Sequence, residues 1–117
     1  MKKKILLVED EPALGMLYEE ELREEGYEVL IARNGKEAIQ RYEEEEADLI
    51  ILDIVLPVMD GIEAMNLLKE KHGKVPIILQ SSYSEYRTDP RTRVADAFVM
   101  KSGDLEELKK IIRGILK

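Results

Sequence analysis

Residues 48–61, DLIILDIVLPVMDG, decide how this chain is interpreted. A run of four apolar residues leads directly into an acid, Asp53. Such a short, unbroken run is typical of a strand buried on both faces, as in a parallel sheet. Because Pro57, Asp60 and Gly61 favour turns, we expect the chain to leave the sheet just after Asp53. Asp53 is therefore predicted at the carboxyl end of a central strand, where open α/β sheets bind their ligands.

The length and composition indicate one folded, highly charged domain that spans residues 1–117. Hydrophobic residues make up 44% of the chain and charged residues 37%, which is not the composition of a disordered protein. The net charge of −7 argues against direct binding of nucleic acid. Cysteine is absent, which excludes disulfides, thiolate zinc sites and a cysteine nucleophile.

The apolar run near the amino terminus is short. Only residues 5–8 are apolar before Glu9, which is fewer than the hydrophobic region of a signal peptide needs. No segment reaches the length of a membrane span. We therefore expect a cytoplasmic protein without a membrane partner.

Strand-like and helix-like segments alternate along the chain. Besides residues 49–53, the predicted strands are residues 4–8, 28–32, 75–80 and 97–100. Helices are predicted to begin near Pro12, Asn34, Gly61 and Asp104, with Glu37 and Glu107 completing two capping boxes. The methionines Met16, Met59, Met65 and Met100 are predicted to fill the core. This pattern predicts a doubly wound, five-stranded parallel sheet.

One segment departs from the alternation. A helix is expected between Ser81 and Ala97, but residues 82–93 have poor helical periodicity. Pro90 also biases Asp89 away from helical angles. The fourth helix is therefore predicted to be short or irregular.

Polar side chains follow the predicted strands at one edge of the sheet. If the strands are parallel, this edge collects Glu9, Asp10, Asp53, Ser81 and Lys101. Three neighbouring carboxylates repel one another, and a hard divalent cation such as Mg²⁺ stabilises the arrangement. With a metal present, one carboxylate, most naturally Asp53, can attack a phosphoryl group. An ammonium and a hydroxyl, such as those of Lys101 and Ser81, can stabilise the transferred oxygens.

These residues carry a family resemblance over essentially the whole chain. The sequence resembles the receiver domain of two-component response regulators at Glu9-Asp10, residues 53–61, Ser81-Ser82 and Lys101. The resemblance implies a flavodoxin-like sheet of strand order 2-1-3-4-5. It also implies that a sensor histidine kinase or a phosphotransfer protein donates a phosphoryl group to Asp53, which makes the domain a phosphoacceptor rather than an enzyme with an external substrate.

The resemblance also implies a role for each of the other site residues. The metal, Mg²⁺ or Mn²⁺ in its place, is expected on Glu9, Asp10, Asp53 and the backbone carbonyl of Val55. Ser81 and Lys101 are expected to hold the phosphoryl oxygens. Movement of Ser81 and rotation of Phe98 are expected to switch the surface that binds an output protein.

The chain departs from the family pattern at three places. Ser102-Gly103 replaces the proline that usually follows the lysine, so a cis peptide bond there is improbable. The irregular segment 82–93 reshapes the usual output surface, and we hypothesise that it becomes ordered on activation. Val55 and Tyr83 flank the site with side chains that orient an attacking water poorly, which predicts slow self-dephosphorylation.

Two alternative functions stay open at this point. The first is a binding module that keeps the receiver fold without being phosphorylated. The second is a phosphatase with an aspartyl nucleophile, although such enzymes usually carry a second acid at the position of Val55. Flavin binding is disfavoured by the acidic loop after the first strand. The sequence is compatible with a stand-alone regulator and with a piece of a longer one.

Overall fold

The structure is a computed structural model that describes residues 2–101 and 104–117. Ser102 and Gly103, and with them the expectation about the bond after Lys101, lie outside the described residues. The strands are β1 (Lys4–Val8), β2 (Glu28–Ala32), β3 (Leu49–Asp53), β4 (Ile77–Ser81) and β5 (Ala97–Met100). The α-helices are α1 (Pro12–Glu24), α2 (Gly35–Glu45), α3 (Gly61–His72) and α4 (Glu106–Ile115).

The strands form one parallel sheet in the order β2-β1-β3-β4-β5. The predicted strand order and parallel arrangement are confirmed. β3 is central, and every residue of β3 and β4 is buried. Burial on both faces explains why these strands are continuous apolar runs in the sequence.

Helices cover both faces of the sheet. Alternate strand residues pack against α2 and α3 on one face, which we call the α2/α3 face. The other strand residues pack against α1 and α4 on the opposite face, the α1/α4 face. Among the described residues, no helix has the length and apolar character needed to cross a membrane.

The helix ends confirm some of the predicted caps and correct others. The Asn34 side chain accepts a hydrogen bond from the backbone N–H of Glu37 at 2.8 Å, as predicted. The prediction for the last helix was wrong, because α4 begins only at Glu106 and its N-cap residue is Leu105. The Asp104 carboxylate instead accepts from the backbone N–H of Glu106 at 2.9 Å.

The prediction that the methionines fill the core was wrong for Met16. Met65 is fully buried, but Met16 is 68% exposed on α1. Helical periodicity explains the difference: the buried positions of α1 are Gly15, Tyr18 and Leu22, and Met16 lies off this stripe.

The segment between β4 and β5 is irregular, as the sequence predicted. It forms two short 3₁₀-helices, Ser84–Thr88 and Pro90–Val94, in place of an α-helix. Pro90 occupies the first turn of the second one, and Asp89 before it has the extended angles that a following proline favours. Ordering of this segment on activation stays a prediction.

Candidate functional site

The alternation of side chains along the strands brings the charged residues together. Ile51 of β3 packs on the α1/α4 face, so Asp53, two residues later, lies on the same face. The same count places Glu9 two residues after Leu7, and Lys101 two residues after Val99. Three residues from the ends of three different strands therefore share one corner of the sheet.

Lys101 joins the two acids directly. Its Nζ lies 2.6 Å from Asp53 Oδ2 and 2.6 Å from Glu9 Oε1. Asp53 is 5% exposed and Glu9 is 3% exposed, so these groups are almost completely removed from water. Buried charges need partners of opposite sign, and the ammonium provides one for both carboxylates.

The ionisation of the three groups reflects this packing. Burial raises the pKa of Glu9 and of Asp53, and the hydrogen bonds from Lys101 offset only part of this effect. For Lys101, burial acts to lower the pKa, but the hydrogen bonds to Asp53 and Glu9 outweigh it and raise the pKa. The surroundings thus stabilise the charged form of Lys101, whereas burial disfavours the charged forms of Glu9 and Asp53.

The acidic residues fit a divalent metal ion. One carboxylate oxygen from each of Glu9, Asp10 and Asp53 lies within 4.8 Å of the others. Hard cations such as Mg²⁺ prefer oxygen ligands of this kind. The position of the Lys101 ammonium between two of the carboxylates shows that the site accommodates positive charge.

The site opens to solvent through a cavity of about 230 Å³. It is lined by Glu9, Asp10, Glu11, Asp53, Val55, Ser82, Tyr83 and Lys101. A larger cleft of about 340 Å³ lies between α3 and the second 3₁₀-helix, but none of the residues of this acidic cluster lines it. Volume alone therefore does not identify the functional site in this fold.

The loop after β3 is held close to Asp53 by a glycine. A Cβ atom on Gly61 would lie 2.1 Å from the Asp53 carbonyl oxygen. The Gly61 backbone N–H donates to the Ile54 carbonyl at 2.8 Å, and this contact closes the loop. The closed loop places Val55, whose carbonyl was predicted to bind the metal, at the wall of the cavity.

The two predicted switch residues lie on the other face of the sheet. Leu79 packs on the α2/α3 face, so Ser81 lies on that face too, and Phe98 packs against the same cluster. The Ser81 hydroxyl accepts a hydrogen bond from the Tyr83 backbone N–H at 3.0 Å. Ser81 is fully buried and does not line the cavity, so the structure does not bring its hydroxyl to Asp53.

Sequence reasoning missed two buried residues of the site. Tyr18 of α1 is 2% exposed, and burial together with the charges of Lys101, Glu9 and Asp53 shifts its pKa, the net effect being a rise. Gln80 is fully buried beside Asp53 in the sheet. A period-two count along β4 would have placed Gln80 on the face of Asp53. Helical spacing marks Tyr18 as a buried residue of α1 but does not show that it lies near the charged residues.

Comparison with known proteins agrees with this geometry. A family model described as "Response regulator receiver domain" matches residues 5–113. The "Transcriptional regulatory protein TrcR" of Mycobacterium tuberculosis is 35% identical over 116 residues, which are 97% of this chain and 45% of that protein. The "Sporulation initiation phosphotransferase F" of Bacillus subtilis is 30% identical over 118 residues, which are 99% of this chain and 95% of that protein. The chain thus spans less than half the length of the transcriptional regulator and nearly all of the sporulation protein.

Solved structures are similar over the whole fold. The response regulator TrrA of Thermotoga maritima, in complex with Mg²⁺-BeF, has a TM-score of 0.94 and 42% identity, covering 97% of this chain and 99% of that one. TrrA in complex with the histidine kinase ThkA has a TM-score of 0.92 and 42% identity, covering 98% of this chain and 99% of that one. This chain therefore belongs to the family of response regulator receiver domains.

Proposed function

We propose that Asp53 is the phosphoacceptor of this receiver domain. The observation that carries this proposal is the position of its carboxylate, which is buried at the end of the central strand, 2.6 Å from the Lys101 ammonium and open to a cavity. A carboxylate in such a place is costly to the fold, and a function at this position explains its presence.

The reaction is a transfer of one phosphoryl group. A carboxylate oxygen of Asp53 attacks the phosphorus of a phosphohistidine, a P–O bond forms, and the P–N bond of the donor breaks. The electron pair of that bond stays on the leaving imidazole, which takes up a proton. Lys101 contributes a fixed positive charge beside the transferred oxygens, where positive charge stabilises the transition state most.

Glu9, Asp10, Asp53 and the carbonyl of Val55 would hold the metal ion, Mg²⁺ or Mn²⁺. Bound there, the ion would neutralise the charge that develops on the phosphoryl oxygens. Of these ligands, Asp10 is exposed to solvent, whereas Glu9 is buried and surrounded by other protein atoms. The Glu11 backbone N–H donates to Glu9 Oε2 at 3.1 Å and fixes the orientation of that carboxylate.

Phosphorylation would then change the positions of side chains on the opposite face of the sheet. Phosphorylated Asp53 offers strong acceptor oxygens, and the Ser81 hydroxyl is the donor that would turn to them from its contact with Tyr83. Phe98 and Tyr86 of the 3₁₀ segment pack against the same apolar cluster, and Phe98 would follow this movement. Because that segment replaces an α-helix, the surface offered to an output protein differs from that of relatives with a regular helix.

The partners follow from the same chemistry. We assign the phosphoryl donor to a sensor histidine kinase or a phosphotransfer protein, and support comes from the complex of the similar TrrA with the kinase ThkA. The domain would catalyse its own phosphorylation and dephosphorylation without acting on an external substrate. The net charge of −7 makes direct contact with nucleic acid by this domain unfavourable.

The test is intact mass spectrometry after incubation with acetyl phosphate and Mg²⁺. We expect a gain equal to one phosphoryl group that depends on Mg²⁺, disappears in Asp53→Asn and persists in Asp60→Asn, a control at a nearby exposed acid. A folded protein that gains no mass would instead be a phosphorylation-independent binding module. Continuous release of inorganic phosphate at a steady catalytic rate would indicate a phosphatase.

A further inference from the structure

Gln80 is a buried polar residue near the end of a strand that begins with three apolar residues. Its exposed fraction is 0%, and it follows Ile77, Ile78 and Leu79 in β4. Neither the oxygen nor the nitrogen of its carboxamide forms a hydrogen bond with any other described protein atom. A buried amide without a partner destabilises a fold, so an unpaired carboxamide of this kind calls for an explanation.

The register of the sheet places Gln80 beside the phosphoacceptor. Gln80 pairs with Asp53 on one side and with Val99 on the other. Paired residues in neighbouring strands point to the same face, so Gln80 shares the α1/α4 face with Asp53. On the β4 side, the side chain next to Asp53 in its row of the sheet is therefore Gln80.

Lys101 reaches Asp53 across β4, on the face that carries Gln80. The Lys101 backbone N–H donates to the Ser81 carbonyl at 2.9 Å, which fixes the start of its side chain beside β4. Its Nζ lies 2.6 Å from Asp53 Oδ2 on β3, on the far side of β4. Adjacent strands are about 4.8 Å apart, so the lysine side chain crosses the width of β4 on the face of Gln80, which is level with Asp53 and lies two residues before the level of Lys101.

The hydrogen-bond partners of the Lys101 ammonium must change when a metal ion and a phosphoryl group bind at the site. In this structure the ammonium donates a hydrogen bond to Asp53 Oδ2 and forms an ion pair with Glu9 Oε1, 2.6 Å away. A divalent cation bound to the same carboxylates would repel the ammonium and compete for their oxygens. An ammonium has three donors, and in a buried site each of them needs an acceptor. A neutral carboxamide oxygen is suited to this place because it accepts a hydrogen bond without adding a fourth negative charge.

We propose that Gln80 is a positioning residue for Lys101, whose ammonium donates a hydrogen bond to the Gln80 carboxamide oxygen once metal and phosphoryl group occupy the site. The inference rests on the proposed function of Asp53. It assigns to Gln80 the task of holding the ammonium over the phosphoryl oxygens when Glu9 is engaged by the metal.

The first test is direct and does not depend on activity. The chain contains two glutamines, Gln40 and Gln80, and two asparagines, Asn34 and Asn66, so a ¹⁵N spectrum shows four side-chain amide pairs. The pair that disappears in Gln80→Met belongs to Gln80. We expect this pair to shift when Mg²⁺ and then beryllofluoride, a phosphoryl mimic, are added to the wild type. The pair of Gln40, which is exposed on α2, should stay in place.

The outcomes separate this inference from the proposed function. A Gln80 pair that stays unchanged while the Asp53 backbone amide shifts would overturn the role of Gln80 alone. If beryllofluoride moves neither signal, the phosphoacceptor function itself fails, and the inference fails with it.

The second test compares phosphorylation rates. We expect Gln80→Met to be phosphorylated by acetyl phosphate about tenfold more slowly at saturating Mg²⁺, with an unchanged Mg²⁺ half-saturation, because Lys101 acts on the phosphoryl group. A tenfold change corresponds to about 1.4 kcal/mol in the barrier. The thermal midpoint of the variant should rise, since an unpaired buried amide is removed, so a slower rate cannot come from unfolding. Phosphorylation of Gln80→Met at the wild-type rate would overturn the proposal, and Gln40→Met serves as the matched control.

Discussion

The Lys101 ammonium lies 2.6 Å from Asp53 Oδ2, although 48 residues separate the two in the chain. The same ammonium lies 2.6 Å from Glu9 Oε1. One cation thus balances two buried carboxylates in this structure. Binding of a metal ion or a phosphoryl group must redistribute these contacts, and this coupling connects the chemistry of the site with the conformation of the domain.

The acidic cluster predicts stabilisation by Mg²⁺. A ligand that binds only the folded state raises the free energy of unfolding by about 2.7 kcal/mol at 100 times its dissociation constant. We expect Mg²⁺ to raise the thermal midpoint of the wild type and to have little effect on Asp10→Asn, since Asp10 is exposed and its replacement should not disturb the core. Scanning calorimetry at constant ionic strength measures this, and an equal rise in both proteins would contradict the predicted metal site.

The backbone conformation of Val58 indicates that a substitution at this position would stabilise the fold. Its φ is 68°, and its side chain is 77% exposed. Left-handed angles cost a β-branched residue about 1–2 kcal/mol, while asparagine tolerates them. Val58→Asn should therefore raise the free energy of unfolding by about 1 kcal/mol in urea titrations. The control Val55→Asn, in the same loop with a negative φ, should give no gain, and an equal gain in both would count against backbone strain.

We expect replacement by alanine to have opposite effects on the free energy of unfolding at Gly61 and at Gly114. A Cβ on Gly61 would lie 2.1 Å from the Asp53 carbonyl oxygen, whereas a Cβ on Gly114 in α4 meets nothing within 4 Å. Gly61→Ala should lower the free energy of unfolding by several kcal/mol, on the order of an overpacked core site, and shift the loop after β3. Gly114→Ala should raise it by about 0.5–1 kcal/mol through helix propensity. Similar behaviour of the two variants in chemical denaturation would refute the close approach at Gly61.

Because of the hydrogen bonds that Asp96 accepts, we expect the stability of the fold to depend on pH. Its Oδ2 accepts from the Ile77 backbone N–H at 2.7 Å and from Lys69 Nζ at 2.8 Å. Burial acts to raise the pKa of Asp96, but these hydrogen bonds outweigh it, and the net effect lowers the pKa in the folded state. A carboxyl whose pKa is lower in the folded state stabilises the fold at any pH above its pKa in the unfolded state. This stabilisation is lost as the pH falls through the pKa of the folded state.

Asp96→Ala should accordingly be less stable than the wild type at pH 7. The difference should narrow as the pH falls below about 4, the usual pKa of an aspartate. Urea titrations across this range measure the difference. A gap that stays constant with pH would show that the Asp96 carboxylate contributes by packing alone.

The side chains of Val55 and Tyr83 lead us to expect that the phosphorylated state is long-lived. Both line the cavity, with exposed fractions of 46% and 52%. Both side chains are bulky, and we expect them to orient an attacking water poorly. Replacing both with small polar residues, as in Val55→Asn with Tyr83→Ser, should speed the loss of the phosphoryl mass after acetyl phosphate is removed. Decay at the wild-type rate in the double variant would show that these residues do not limit the reaction.

Much of the fold could be predicted because its pattern is local. The apolar run of β3 and the acid that ends it follow from burial on both faces and from turn residues just beyond. The irregular segment before β5 could be predicted from Pro90, since its ring restricts the residue before it. The start of α4 could not be read correctly, because Asp104 has the chemistry of a cap but bonds to the amide of Glu106.

The sequence by itself determined which chemical groups stand at the strand ends and the order of the elements that carry them. Only the tertiary structure decided which of these groups meet. It joins Lys101 to both Glu9 and Asp53, holds Ser81 on the opposite face, and leaves Gln80 unpaired beside Asp53. The physical reason is that local preferences act over a few residues, whereas strand register and the two faces of the sheet are fixed by packing between distant segments.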